Sequence, residues 1–171
     1  MKEKEGFNVK LVSLSDAHIQ NKDCPQYKKV LAYLKHPATL RANLVILLGD
    51  TFDLMCGPHI EYYREYEEFF SSLYALLKEG KTVYFFEGNH DIHTENLFLN
   101  QSDLSSYVNK KLFIFQKGTT VVGDVTGKKI YLTHGDEFPL SDPFYPLYKK
   151  ILLSKTLSFL ANNIPYKAMT L

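Results

Sequence analysis

Four short stretches of this 171-residue chain place carboxylates, imidazoles and one carboxamide directly after apolar runs. They are Asp16 with His18 in "SDAH", Asp50 with Asp53 in "GDTFD", Asn89, His90 and Asp91 in "GNHD", and His134 with Asp136 in "THGD". Oxygen and nitrogen donors in this mixture suit borderline or hard divalent ions such as Mn²⁺, Fe²⁺, Zn²⁺ or Mg²⁺. One ion would not use so many ligands. Two ions about 3.5–4 Å apart, bridged by one carboxylate, can activate a water and stabilise the leaving oxygen of an in-line displacement at phosphorus. A dinuclear centre is therefore the economical reading, with Asp50, set on rigid backbone after Leu44–Leu48, as its best-placed carboxylate.

These residues need elements that deliver them to one place. "VKLVSLSD", "NLVILLGD" and "TVYFFEG" are short apolar runs ending in polar residues, the pattern of buried strands reaching a surface. Between the first two, "CPQYKKVLAYLKH" carries Pro25 near a helix start and Tyr27, Val30, Leu31 and Leu34 at helical spacing. Between the second and third, the 3.6-residue period of Tyr63, Tyr66, Phe69, Phe70, Leu73, Leu76 and Leu77 predicts one helix from about Ile60 to Glu79, capped by Gly80. Alternation of strand and helix predicts parallel pairing by right-handed crossovers, which gathers the polar strand ends on the carboxyl edge of the sheet, where ligands bind in open α/β folds. Beyond Asn109, "KLFIFQKG", "TTVVGDVTG" and "KKIYLTHGD" predict an antiparallel or mixed second sheet. "DPFYPLYKKILLSKTLSFLANNIP", Asp142 to Pro165, reads as helical and very apolar.

Composition narrows the classes. At 45% hydrophobic residues the chain supports one compact core, and the formal net charge of +1 provides no basic field for nucleic acid. Cys24 and Cys56 lack metal-type spacing and read as reduced packing residues of a cytoplasmic chain. The polar start "MKEKEGFN" precedes no signal-peptide core, and no apolar run is long enough to span a bilayer. His36 reads as a cation at a helix end, His59 and His93 as solvent-exposed loop residues, and Asp53 as a supporting residue or helix cap.

Taken in order, "SDAH", "GDTFD", "GNHD" and "THGD" resemble the calcineurin-like metallophosphoesterase superfamily. The resemblance implies a four-layer α/β/β/α sandwich and two divalent ions, manganese first, with iron, zinc or magnesium as alternatives. It also implies that Asp16 and His18 bind one ion, Asp50 bridges, and Asn89 and His134 bind the other. His90 would face the phosphate as general acid or charge stabiliser, oriented by Asp91, and no serine or cysteine nucleophile is expected.

The stretch "LTHGDEFPLSDPFYPLYKKIL" is similar to the UDP-2,3-diacylglucosamine pyrophosphohydrolases of lipid A synthesis, whose aromatic-rich insertion forms a lid for acyl chains. That similarity implies a core over residues 1–141 and a helical lid over 142–171. It implies substrate contacts at Asp136, Asp142, Phe144 and Tyr148, and hydrolysis of UDP-2,3-diacylglucosamine to UMP and 2,3-diacylglucosamine 1-phosphate. Such enzymes usually read G-N-R-D where this chain has His90, so a soluble phosphodiesterase or nucleotide phosphatase of the same fold is the alternative, and a non-catalytic scaffold a third reading. The superfamily closes with G-H-x-H, and no histidine follows His134; the expectation is a sandwich incomplete at its C-terminus. Partners are a phosphorylated small molecule or lipid-linked nucleotide sugar, with peripheral contact to the inner membrane face through Lys149, Lys150 and Lys155.

Overall fold

The computed structural model describes residues 10–100, 102–118, 120–125, 128–135 and 144–168. Its central sheet is parallel, in the order β1 (Leu11–Leu14), β2 (Leu44–Leu48), β4 (Thr82–Glu87), β6 (Phe113–Lys117). In-register pairs such as Leu47↔Leu14 and Leu47↔Phe85 hold the first three strand ends level. Two small sheets accompany it: a parallel ribbon of β3 (Met55–Cys56) with β5 (Asp91–Ile92), and an antiparallel hairpin of β7 (Thr120–Val125) with β8 (Lys128–Leu132).

The placement of β6 corrects the sequence expectation. "KLFIFQKG" pairs parallel with β4 through Val83↔Phe113 to Glu87↔Lys117 and extends the first sheet, whereas the two strands after it pair with each other. The crossover that makes this parallel arrangement is helical, α5 (Glu95–Asn100) and α6 (Ser102–Asn109). Phe98 of α5, fully buried, packs on Phe85 and Phe113 with ring centroids 4.1 Å and 5.9 Å away, so the same helix seals both strands.

Side chains alternate across the sheet as the period of two demands. Val45, Leu47, Val83 and Phe85 point into a large core with α1 (Pro25–Leu34) and α4 (Glu67–Lys78). Leu44, Ile46 and Phe86 point the other way and meet Leu132 and Ile130 of β8. The sheet is thus covered by helices on one face and by the hairpin on the other.

The long helix expected over Ile60–Glu79 is two helices, α3 (Glu61–Glu65) and α4, broken at Tyr66, whose backbone sits at φ −110°, ψ 39°. Tertiary contacts outweigh the helical period there. The Tyr66 ring lies 4.8 Å from Phe52 and 5.6 Å from Tyr27, and the Tyr27 hydroxyl accepts from the first-turn Phe69 N–H of α4, which also reaches the Tyr66 carbonyl. At the other end Gly80, at φ +78°, closes α4 as expected, with its N–H on Leu77 O and the Lys81 N–H on Leu76 O. Cys24 does more than pack: its sulfur accepts from the Tyr27 N–H and caps α1. His36 caps the short α2 (Pro37–Arg41) through Nδ1, an N-terminal role in place of the C-terminal one expected.

The C-terminal apolar stretch is also divided, into α7 (Tyr145–Leu152) and α8 (Lys155–Asn163), where Ser154 Oγ accepts from the Leu157 N–H and starts a new helix. A 3₁₀ turn over Tyr166–Ala168 follows. Among the described residues no helix is long and apolar enough to cross a membrane.

Candidate metal centre

Each ligand candidate in the described residues follows the carboxyl end of a strand: Asp16 and His18 after β1, Asp50 after β2, Asn89 and His90 after β4, His134 after β8. The loops that carry them are knitted together by backbone bonds. Asp16 N–H donates to Gly49 O, His18 N–H to Asp50 O, Ile19 N–H to Thr51 O, and Met55 N–H to His90 O.

Asp91 is the knot of this weave. Its carboxylate, fully buried, accepts from the N–H groups of Gly88 (2.7 Å), Thr51 (2.8 Å), Asp50 (3.2 Å) and Phe52 (3.5 Å). The expectation that Asp91 orients the His90 ring is corrected: its oxygens pin the backbone of two strand-end loops against each other. Asp53 takes the orienting part. Its carbonyl accepts from His90 Nδ1 at 2.8 Å, and its Oδ1 is 3.3 Å from His18 Nδ1. No helix starts at Asp53, so it is not a cap.

Asp50 is buried, and its two oxygens face different ways. Oδ1 accepts from the His90 N–H at 2.9 Å. Oδ2 is 3.3 Å from His134 Nε2 and 3.9 Å from His18 Nε2. Burial opposes ionisation of Asp50, but the hydrogen bonds and charges of His134 and His90 outweigh it and hold the carboxyl below its ordinary range. Its carboxylate belongs to two groups of ligand atoms, each lying within 4.8 Å of one another: Asp16, Asp50 and His134 in one, His18, Asp50 and His90 in the other. Asp16 thus groups with His134 about Asp50, and His18 with His90. His18 and His90 pack edge to face at 4.7 Å. Asn89 stands between Gly88 and His90, whose N–H groups are tied to Asp91 and Asp50.

The donor set fits a cation. His134 Nδ1 lies 3.0 Å from Leu48 O, and a carbonyl can only accept, so that nitrogen carries the proton. In the neutral ring Nε2 then turns a lone pair toward Asp50 Oδ2, acceptor against acceptor at 3.3 Å. A proton or a metal ion must lie between them, and a ring nitrogen tied to a backbone carbonyl is the usual support of a metal-binding histidine. The backbone is strained where such a site is built: Asp16, His18 and Asp50 all have positive φ, at 53°, 46° and 48°. Two glycines make the close approach feasible. A Cβ on Gly49 would collide with the His134 ring, and one on Gly88 with the Asp50 carboxylate.

A calcineurin-like phosphoesterase profile matches residues 9–166, nearly the whole chain and every ligand candidate above. The chain belongs to the calcineurin-like phosphoesterase family. Among curated relatives of this chain, UDP-2,3-diacylglucosamine hydrolase of Neisseria meningitidis serogroup C is 27% identical over 161 residues, covering 92% of this chain and 61% of the relative. The hydrolase of the same name from Histophilus somni is 24% identical over 154 residues, 90% and 61% of the two chains. That of Pectobacterium atrosepticum is 28% identical over 137 residues, 80% and 52%. The chain spans about three fifths or less of the length of these relatives.

The remaining sequence-based candidates fall elsewhere. Phe144 and Tyr148, at the start and middle of α7, are 74% and 49% exposed and belong to neither ligand group. Asp136 and Asp142 lie outside the described residues. His59 and His93 are half-buried rather than exposed, each bonded to a carbonyl of the C-terminal helices. Sequence reasoning missed Glu87, which is buried, accepts from the Thr94 N–H at 2.9 Å and faces Lys117 at 3.7 Å, steadying the loop from Gly88 to Thr94. A buried acid at the end of an apolar strand was the available signal. A cavity of about 280 Å³ lined by Leu14, Asp16, Gln26 and Lys29 opens beside the ligand cluster; one of about 500 Å³ between α1 and α4 shares no residue with it.

Proposed function

We propose that this phosphoesterase hydrolyses a phosphoanhydride or phosphoester with two divalent ions, and that its substrate is UDP-2,3-diacylglucosamine, yielding UMP and 2,3-diacylglucosamine 1-phosphate. The observation that carries the reaction type is the sharing of Asp50 between two ligand groups at the carboxyl edge of the sheet. The names of the curated relatives support the substrate.

In this reading Asp16, His18, Asp50, Asn89 and His134 hold the ions, with manganese the proposed metal. Bound there, the ions supply Lewis-acid polarisation of the phosphoryl oxygens and lower the pKa of water. The chain does the rest. Asp50 would be shared by both ions, its orientation fixed by the His90 N–H. His90, with Nδ1 engaged by Asp53 O, offers its other nitrogen to the phosphate, where it stabilises developing negative charge or gives a proton to the leaving oxygen.

The segment 142–171 is the proposed lid. Phe144, Leu147, Tyr148, Ile151, Phe159 and Leu160 are exposed on it, as a surface for acyl chains requires. Lys149, Lys150 and Lys155, with no acidic residue from Phe144 onward, suit an anionic membrane face as a second contact.

Release of UMP from UDP-2,3-diacylglucosamine by the purified chain with Mn²⁺ tests the proposal. Good turnover of bis-p-nitrophenyl phosphate without UMP release would favour the second reading, a soluble phosphodiesterase, for which the compact imidazole of His90 at the site supplies the motive. Absence of both activities together with absence of bound metal would favour a scaffold.

A further inference from the structure

His59 and His93 lie outside both ligand groups, yet both stand on the β3–β5 ribbon that grows out of them. His59 follows β3, two residues past Gly57, and His93 directly follows β5. The ribbon is closed by Met55 N–H on His90 O and Gly57 N–H on Ile92 O, so its near end is the candidate ligand cluster. Its far end holds the C-terminal helices. His93 Nε2 is 2.9 Å from Leu152 O, the last residue of α7, and His59 Nε2 is 3.1 Å from Ala161 O in the last turn of α8. Both acceptors are carbonyls, so Nε2 carries the proton in each ring.

The four last carbonyls of a helix lack partners within it, and the helix end carries partial negative charge. Each imidazole therefore meets a real need of the helix it touches. Two further features serve the same docking. A Cβ on Gly57 would collide with the Ala161 carbonyl, so only glycine admits α8 this closely. Tyr166 donates to the Glu65 carboxylate and packs its ring 4.9 Å from Tyr62 and 6.0 Å from His59. In contrast, α7 buries no side chain and α8 buries only Ala161. Among the described residues, polar latches are prominent in holding this segment.

We propose that His59 and His93 are positioning residues that latch α7 and α8 to the β3–β5 ribbon and thereby set the preference of the phosphoesterase for substrates large enough to touch those helices. This rests on the reading of α7 and α8 as a substrate-contacting lid. It adds that the lid is registered to the metal cluster through two imidazoles on one ribbon.

The test uses the full chain with His59→Ala, His93→Ala and the pair, beside His59→Gln and His93→Gln, which retain an N–H donor. Hydrogen exchange of the amides over 144–168 is expected to rise at least about tenfold in the double alanine variant, while β2 and β4 stay protected and report an intact core. KM for UDP-2,3-diacylglucosamine is expected to rise about tenfold, with kcat on bis-p-nitrophenyl phosphate within about twofold of the parent, and the glutamine variants recovering part of both losses. Unchanged exchange over 144–168 would overturn the latch. Equal losses on both substrates would overturn its bearing on substrate preference. If the parent chain turns over neither substrate, the hydrolase reading fails, while the exchange measurement still decides the latch.

Discussion

The ligand cluster and the C-terminal helices are built by opposite means. Around Asp50 and Asp91, loops from separate strands share backbone bonds, buried carboxylates and two glycines without room for a Cβ. Along α7 and α8 Leu147, Tyr148, Ile151, Phe159 and Leu160 are exposed, and the described attachments include two imidazoles, Gly57 and Tyr166. The first arrangement fixes atoms to fractions of an ångström, as ion binding requires. The second leaves an apolar surface open and tethered, as the proposed lid would require. The lesson is that precision here comes from backbone hydrogen bonding around buried acids, and adaptability from sparse polar anchoring.

Five substitutions would break or sharpen that contrast. The largest effect is expected from Asp50→Ala, which removes the carboxylate common to both ligand groups. Activity should fall by about a thousandfold or more, and bound metal, measured by atomic emission, from about two equivalents to one or none. Retention of both ions would show that another residue bridges.

Asp91→Ala comes next. It strands the N–H groups of Gly88, Thr51, Asp50 and Phe52 in a buried place. With unpaired buried donors costing about 1–3 kcal/mol each, a loss of at least about 3 kcal/mol in urea unfolding is expected. A loss under about 1 kcal/mol would mean that the cluster does not depend on this carboxylate. His90→Ala should slow turnover by about a hundredfold and leave metal content unchanged. If it emptied both sites, His90 would be a ligand, as its place beside His18 and Asp50 allows geometrically. The smallest effect is expected at the far region, where Phe144→Ser and Tyr148→Ser should shift stability by no more than about 0.5 kcal/mol. They should raise KM for an acylated substrate only a few-fold. A marked fall in stability would reveal that α7 is bound more firmly than its exposed side chains indicate.

Much of the near region was legible from residue order. Polar ends on Leu11–Leu14, Leu44–Leu48 and Thr82–Glu87 announced a shared edge, and the structure pairs these strands parallel and in register. The candidate donor set was legible too, since residue type alone limits what an aspartate or histidine can hold, and Asp16, His18, Asp50, His90 and His134 fall into two candidate groups. The part of Asp91 was not: an acid next to a histidine invites an orienting hydrogen bond, and only the folded chain shows four N–H groups from two loops converging on it. His59 and His93 looked solvated for the same reason, because the carbonyls they meet lie 102 and 59 residues away in the chain.

By itself, then, the amino-acid sequence determined what depends on local pattern and side-chain chemistry: buried strands with polar ends, the helix Pro25–Leu34, the glycine that closes α4, and a donor set suited to divalent ions. Tertiary structure alone decided what depends on partners distant in the chain. It placed β6 in the parallel sheet through the seal of Phe98, broke the aromatic helix at Tyr66, chose the protonated nitrogen of His134, and brought the Leu152 and Ala161 carbonyls to His93 and His59. A period of 2 or 3.6 residues is written in neighbours, whereas a hydrogen bond across the fold is written only in space.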